Sequence, residues 1–332
     1  MIQSAGRTSH SWIIRLVVSL VILGSAAWVL LNRQLVTDQI TVWRSEPSAA
    51  VQKLAERSDM SDRGAFVFYA STPEILGRDS FIDKCKSTSE QTAILGCYVA
   101  QEIYVFDVTD ERLDGIQEVT AAHEMLHGVY ERMSDSERKT VDGLVEKAYE
   151  SASDDRLDGL LEYYAEAEPG ERANELFALL GTEYADLPEE LEKVYTEYFD
   201  DRSVVVGLYN EYDKTFAEVQ AKQTALVDSL NSLASNIESA TKSYNQSIAS
   251  LSASIDSFNT RAKAGDFNSQ SEFNTERASL ASRQAELDAR RSSIQSDIDT
   301  YEDKRSQLGE LSTVVDGLYR SINANLPETP SL

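Results

Sequence analysis

One short segment combines residue types that bind metals and move protons. His123-Glu124-Met125-Leu126-His127 places two histidines four positions apart, with a glutamate directly after the first. Residues four apart share one face of an α-helix, so both imidazoles can reach a single metal ion with Glu124 beside them. Two such histidines are typical of zinc sites, and the glutamate suits general-base catalysis. The alternative is a helix carrying two ordinary surface or core histidines.

A catalytic zinc site needs a third protein ligand. The chain has three histidines, and none follows His127. The third ligand is therefore expected to be a carboxylate, with the fourth position left for water. Glu175 is the first candidate and Glu183 the alternative, and both rank ahead of Glu162 and Glu166. For Glu175 the competing interpretation is an ordinary solvated charge on a helix.

These segments resemble the gluzincin metallopeptidases, such as thermolysin and aminopeptidase N. In that family an HExxH helix is followed by a second helix whose Glu, often preceded by Asn, completes the zinc site. Asn174-Glu175 looks like that pair, with Ala178 at the position of a small residue. The segment 64–205 is also similar to uncharacterised bacterial predicted metallopeptidases that are anchored in membranes. Those proteins combine Gly-Cys-Tyr, Ala-Ala-His-Glu-Met-Leu-His and Asn-Glu-Leu-x-x-x-x-Gly-Thr-Glu.

The resemblance implies a zincin-like domain that binds Zn²⁺ and hydrolyses peptide bonds. Glu124 would accept a proton from the attacking water and pass it to the leaving amine. Candidates for stabilising the oxyanion are Tyr184, Tyr164 and Arg172. The strand predicted at Ile103–Val108 could receive an extended substrate. The spacing from His127 to Glu175 is longer than in thermolysin-like enzymes, which an inserted helical segment near 134–166 would explain.

The elements that must position these residues indicate an α+β domain. Phe66–Tyr69 reads as a buried strand, Ser71-Thr72-Pro73-Glu74 as a helix start, and Ile94–Val99 with Ile103–Val108 as a hairpin. The signals then become helical, with a capping box at Ser134 and Glu137. The expected helices are Ile116–Met133, Leu157–Glu166, Arg172–Leu180 and Glu189–Phe199.

From Ser203 onward, apolar residues recur at heptad spacing in two series. A turn signal at Lys263-Ala264-Gly265-Asp266 separates them, so the pattern predicts a long antiparallel coiled-coil hairpin. One continuous rod that dimerises is the alternative. The predicted domains are a cytoplasmic tip and transmembrane anchor (1–33), a stalk (34–63), a zincin-like metallopeptidase domain (64–202), the coiled-coil hairpin (203–325) and a disordered tail (326–332).

The N-terminal region predicts export. Trp12–Leu31 is apolar except for Arg15 and is long enough to cross a bilayer, although a cleaved signal peptide is the alternative. Cys85 and Cys97 are the only cysteines and suit one disulfide in an oxidising compartment, with two buried free thiols as the alternative. The prediction is a single-pass membrane protein with its N-terminus in the cytoplasm and its catalytic domain outside.

Composition limits the partners. The chain carries 56 acidic against 31 basic residues and a net charge of −25, which disfavours nucleic acid. The expected partners are a peptide or protein substrate, the membrane, and a coiled-coil partner or second copy. A different class of function is a cell-envelope coiled-coil binding or scaffold protein with a vestigial or structural metal site. Glu124 favours the peptidase, because a structural zinc site needs no general base.

Overall fold

The computed structural model describes residues 9–86, 95–167 and 170–323. It is mostly helical, with one small sheet. The chain forms two compact units: the described residues up to Thr215 together with those from Tyr319 onward, and Phe216–Leu318. The helices are α1 Ser9–Leu31, α2 Arg33–Arg44, α3 Ala49–Arg57, α4 Asp62–Ala70, α5 Arg78–Cys85, α6 Ile116–Arg132, α7 Asp135–Ala152, α8 Asp155–Ala167, α9 Arg172–Glu183, α10 Glu189–Tyr195, α11 Arg202–Ala264 and α12 Gln270–Ile322, and the strands are β1 Glu74–Leu76, β2 Gly96–Val99 and β3 Glu102–Phe106.

Helix α1 contains the apolar stretch Trp12–Leu31, whose mean hydropathy is 2.3 and none of which is buried against the rest of the protein. It is long and apolar enough to span a membrane. The region predicted as a stalk, 34–63, begins with two helices, α2 and α3, whose buried residues include Asp38, Val51 and Leu54. This region therefore packs with the residues that follow it.

The strand predicted at Phe66–Tyr69 is wrong, because these residues lie inside α4. Ser61 caps that helix, its side chain accepting a hydrogen bond from the backbone N–H of Gly64. A run of four apolar residues fits a buried strand or a buried helix equally well. The Ser61 cap and the packing of Phe68 in the core stabilise the helix.

The helix start predicted at Ser71–Glu74 is also wrong, because Glu74 opens strand β1 and the next helix begins at Arg78. Proline fixes a backbone angle that suits an extended chain as well as the first turn of a helix. Here the residues after Pro73 pair with a neighbouring strand, which supplies hydrogen bonds that an isolated helical turn lacks.

The sheet has the strand order β1-β3-β2. Strand β1 pairs parallel with β3, and β2 pairs antiparallel with β3, with Cys97 opposite Tyr104. The predicted hairpin is confirmed, with strands shorter than expected; Ile94 lies outside the described residues. Ala100 and Gln101 form its turn in the left-handed region, at φ 51° and 69°.

Helix α6 is buried along most of its length at the centre of the core and packs against α9, α3, α4 and the sheet. The predicted helix Ile116–Met133 and the capping box of Ser134 and Glu137 are confirmed. Helices are also present at the other three predicted positions, as α8, α9 and α10, although α10 ends at Tyr195. The second unit consists of most of α11 and α12, separated by five residues that include Gly265 at φ 68°. The predicted tail, 326–332, lies outside the described residues.

Candidate metal centre

Helix α6 supplies two of the three clustered side chains. His123 and His127 lie one turn apart, as the spacing predicts, with ring centroids 4.7 Å apart and ring planes at 80°. Their side chains are only 15% and 9% exposed. The helix is apolar around them, with Ala122, Met125 and Leu126 fully buried. The histidines are therefore held in a tightly packed wall of the core.

Helix α9 supplies the third side chain. Glu175 is buried in its first turn. Its Oε1 lies 3.6 Å from His127 Nε2, and its Oε2 lies 3.8 Å from His123 Nε2. One ligand atom from each residue can be chosen so that all three lie within 4.8 Å of one another. Two imidazole nitrogens and a carboxylate oxygen form a donor set typical of catalytic zinc.

Close contact between α6 and α9 explains why residues 48 positions apart meet. A Cβ built on Gly181 of α9 would come within 2.5 Å of Leu126 Cδ1 and 2.8 Å of Tyr195 Cε1, so a side chain at this position would push the neighbouring side chains apart. Helices α7 and α8 occupy the intervening sequence, where an inserted helical segment was expected. Helices α6 and α9 are in contact even though the sequence between His127 and Glu175 is longer than in thermolysin-like enzymes.

Asn174 orients the ring of His127. Its Oδ1 accepts a hydrogen bond from His127 Nδ1 at 2.9 Å, while its Nδ2 donates to Glu171 Oε2 at 3.0 Å. With the proton on Nδ1, the lone pair of Nε2 points toward Glu175. Outer hydrogen bonds of this kind fix the tautomer and orientation of metal-binding histidines.

The electrostatics keep His123 neutral. Burial, followed by the proximity of His127, holds the pKa of His123 well below its usual range. A neutral imidazole has a free lone pair at neutral pH, and only that form binds a metal ion. The site is therefore ready to accept a cation without first losing a proton from His123.

Glu124 lies in the same cleft, 6% exposed, and the edge strand β2 packs directly on it. A Cβ built on Gly96 would come within 2.6 Å of Glu124 Oε1 and 2.5 Å of Thr120 Cγ2. Gly96 therefore allows the strand to approach the glutamate closely. The side chain of Glu124 projects from α6, is covered by β2, and lines the same cleft as the His–Glu cluster.

The cleft has a volume of about 570 Å³. Its lining includes Cys97, Tyr98, Glu124, His127, Tyr130, Glu131, Arg138, Gly170, Glu171, Asn174 and Glu175. Burial raises the pKa values of Tyr98 and Tyr130, so both hydroxyls stay protonated. The hydroxyl of Tyr130 donates its hydrogen bond to Asp142 Oδ1 at 2.7 Å. Sequence reasoning missed Tyr98, Tyr130 and Arg138. Tyr98 lies two positions after Gly96 in the same strand, so the two residues share one face of that strand.

The other proposed ligands lie elsewhere. Glu183 forms an ion pair with Arg156 and is not part of the His–Glu cluster. Burial raises the pKa of Glu183, and Arg156 opposes that shift. Glu162 is exposed on α8. The side chain of Glu166 lies outside the described residues.

The three residues proposed as oxyanion donors have partners away from the lining of the cleft. The hydroxyl of Tyr184 donates to Asp154 at 3.2 Å. Arg172 is paired with Glu146 at 2.8 Å, and the ring of Tyr164 packs on that of Tyr163. Arg138 does line the cleft, and two nitrogens of its guanidinium donate to the backbone carbonyl of Met133.

The strand expected to receive a substrate is not available for it. Strand β3, within the predicted Ile103–Val108, is the central strand and is already paired on both sides. Strand β2 is the edge strand next to the cleft, and its Cys97 and Tyr98 line the cavity. Among the strands that the structure describes, β2 is therefore the one with which an extended peptide could pair on this side of the sheet.

Comparison of the chain with protein-family models, with curated proteins and with solved structures found no significant match.

Proposed function

We propose that this protein is a zinc-dependent peptidase. The observation that carries the proposal is the cluster of His123, His127 and Glu175 ligand atoms within 4.8 Å of one another. In a tetrahedral zinc site the ligand atoms lie about 2.0–2.3 Å from the ion and hence roughly 3.3–3.8 Å from one another. The nitrogen–oxygen distances of 3.6 and 3.8 Å lie in that range but run to the two different oxygens of Glu175. With one ligand atom from each residue the atoms lie within 4.8 Å of one another, so the side chains would close by about 1 Å around an ion.

The surrounding residues supply what hydrolysis of a peptide bond requires. Zinc, when bound, provides a Lewis acid that polarises a carbonyl group and makes water more acidic. Glu124 accepts the proton of the attacking water and returns it to the leaving amine. Arg138, whose guanidinium lines the cleft, can donate to substrate oxygens. The backbone of β2 aligns an extended substrate by strand addition.

We infer that the domain works outside the cytoplasm, attached to the membrane by α1. Two observations support this location. Helix α1 is exposed along the span Trp12–Leu31, which is apolar except for Arg15. Cys85 and Cys97 form a disulfide, as expected in an oxidising compartment. The N-terminus would then lie in the cytoplasm.

We further infer that the second unit is an antiparallel coiled-coil hairpin. Arg261 near the end of α11 pairs with Glu272 and Glu276 near the start of α12, at 2.8 and 2.7 Å. Farther from the turn, Arg283 of α12 donates to Ser254 of α11 at 3.0 Å. Buried apolar side chains lie on both helices: Leu230, Leu251, Phe258 and Leu287. This unit favours a second candidate function, a cell-envelope scaffold in which the metal site is structural or vestigial.

The test is peptide cleavage by the full chain in detergent with added zinc, using a library of quenched fluorescent peptides. Glu124→Gln keeps the shape of the side chain and removes its basicity, so cleavage should fall by about 10²–10⁴-fold while zinc remains bound. Glu162→Gln, at an exposed glutamate of the same unit, is the matched control and should cleave as the wild type does.

The results separate the two functions. Zinc binding without any cleavage by the wild type would favour the scaffold. Equal cleavage by wild type and Glu124→Gln would exclude Glu124 as the general base and contradict the proposed mechanism.

A further inference from the structure

Helix α2 carries a buried acid away from the metal centre. Asp38 is 4% exposed, and its carboxylate accepts hydrogen bonds from Nε and Nη2 of Arg132 at 3.0 and 3.1 Å. Arg132 is the last residue of α6, the helix that carries His123 and His127. Two parallel N–H···O bonds from a guanidinium to a carboxylate are geometrically specific. The pair therefore fixes α2 against the end of α6.

This ion pair is part of a closed ring of hydrogen bonds. The guanidinium also donates through Nη1 to the hydroxyl of Tyr98 at 3.1 Å, and that hydroxyl hydrogen-bonds Glu131. Gln101 donates to Glu131 Oε1 at 3.1 Å. Gln34 completes the ring, with its Nε2 lying 3.5 Å from Gln101 Oε1 and 3.0 Å from Asp38 Oδ1. The ring joins α2, α6 and the β2–β3 hairpin.

The hairpin needs such support. Ala100 and Gln101 adopt positive φ angles in its turn, which is unfavourable for residues other than glycine. Strand β2 has only four residues and lies at the edge of the sheet. The strand nevertheless has to keep Gly96 in close contact with Glu124. Contacts outside the sheet must therefore contribute to the position of the hairpin.

We propose that Asp38 is a positioning residue for the cleft: through this ring, α2 holds the β2–β3 hairpin where Tyr98 and Gly96 face the metal centre. The segment that directly follows the membrane span would thus set the shape of the substrate cleft. The consequence for peptide cleavage rests on the proposed function, whereas the consequence for the hairpin does not.

The direct test is hydrogen exchange of backbone amides in the full-length protein in detergent. Asp38→Asn removes the charge and keeps the shape. Exchange in residues 96–106 should become about tenfold faster, while exchange in α9 stays within about twofold of the wild type. Asp186→Asn, at an exposed aspartate of the same unit, is the matched control and should leave both regions unchanged.

A milder variant covers the case in which Asp38→Asn does not fold. Gln101→Ala removes a member of the ring at the hairpin turn and leaves the ion pair intact. It should also speed exchange in residues 96–106, by a smaller factor. Unchanged hairpin exchange in the variants that fold would overturn the proposal. So would a uniform increase across the whole unit, which would indicate general destabilisation.

Kinetics supply the second measurement. If the hairpin shapes the cleft, the folded variants should raise KM for peptides about threefold or more and leave kcat within about twofold. Zinc content should be unchanged. A fall in kcat with KM unchanged would contradict a positioning role. If the wild type cleaves no peptide, the proposed function fails, and hydrogen exchange alone decides whether Asp38 positions the hairpin.

Discussion

Gly96 lies directly against the candidate catalytic glutamate, Glu124. A methyl group there would lie within 2.6 Å of Glu124 Oε1 and 2.5 Å of Thr120 Cγ2. The carboxylate can swing away from the new methyl group, but it then leaves its place in the cleft. The requirement for glycine therefore comes from function as well as from packing.

We predict that Gly96→Ala lowers kcat/KM at least tenfold, since Glu124 is displaced, and destabilises the fold by about 1–3 kcal/mol. Zinc content should remain that of the wild type. The measurements are peptide cleavage, urea unfolding and metal analysis. Gly143→Ala is the control, because its Cβ meets no atom within 4 Å inside α7. That variant should gain about 0.5–1 kcal/mol. A Gly96→Ala protein as active as the wild type would contradict the contact.

The sequence indicates the His–Glu cluster more fully than it indicates the rest of the cleft. His123 and His127 meet because of the helix period, which sequence spacing reports directly. Glu175 could be named only by analogy and by the lack of another histidine. Glu183 pairs with Arg156, and the sequence does not report such a tertiary contact. Tyr130 lines the cleft because several elements pack around it. No local sequence pattern predicts that packing.

At the scale of elements, the disulfide joins α5 to the edge strand. Cys97 lies in the lining of the cleft, and Cys85 ends α5. Around them Phe81, Tyr104 and Phe106 form a small core of their own. This covalent link holds β2 from the side opposite the hydrogen-bonded ring of Asp38.

We predict that replacing both cysteines by alanine lowers the free energy of unfolding by about 3 kcal/mol, the value expected when a loop of this length is no longer closed. Urea unfolding with and without a reducing agent measures it. The wild type should lose stability on reduction, whereas the double alanine variant should not respond. A wild-type midpoint unchanged after complete reduction would contradict a stabilising role for the disulfide.

The errors at the element scale have one cause. Phe66–Tyr69 and Ser71–Glu74 are short segments whose local signals fit both helix and strand. Tertiary contacts decide such cases: α4 is capped by Ser61, and β1 pairs with β3. Longer segments with a consistent period, such as Ile116–Met133, were predicted correctly because their apolar face specifies one structure.

At the scale of the whole molecule, α1 is the element that we propose attaches the protein to a membrane. We predict that tags at Met1 and Leu332 remain on one polypeptide in the membrane fraction after an alkaline carbonate wash. A signal peptide would instead be cleaved, and the C-terminal tag would be recovered alone. A variant starting at Arg33 keeps α2 and should be found in the soluble fraction. Recovery of the full-length, doubly tagged chain in the soluble fraction would contradict a membrane anchor.

The division into two units was only partly readable from the sequence. The change to heptad spacing near Ser203 indicates the start of the long helices. The compact first unit nevertheless continues to Thr215, inside the first long helix. The first turns of α11 pack in the core through Val205 and Val206, although they already belong to the long helix. Heptad spacing reports helix periodicity, and it does not report which neighbour an apolar face meets.

The central claim is that His123, His127 and Glu175 bind one zinc ion together. Metal analysis of the purified full-length protein after dialysis tests this claim most directly. The wild type and Glu183→Gln should retain about one zinc per chain, whereas His127→Ala and Glu175→Ala should lose most of it. A wild type without zinc, or equal zinc in all four proteins, would contradict the account.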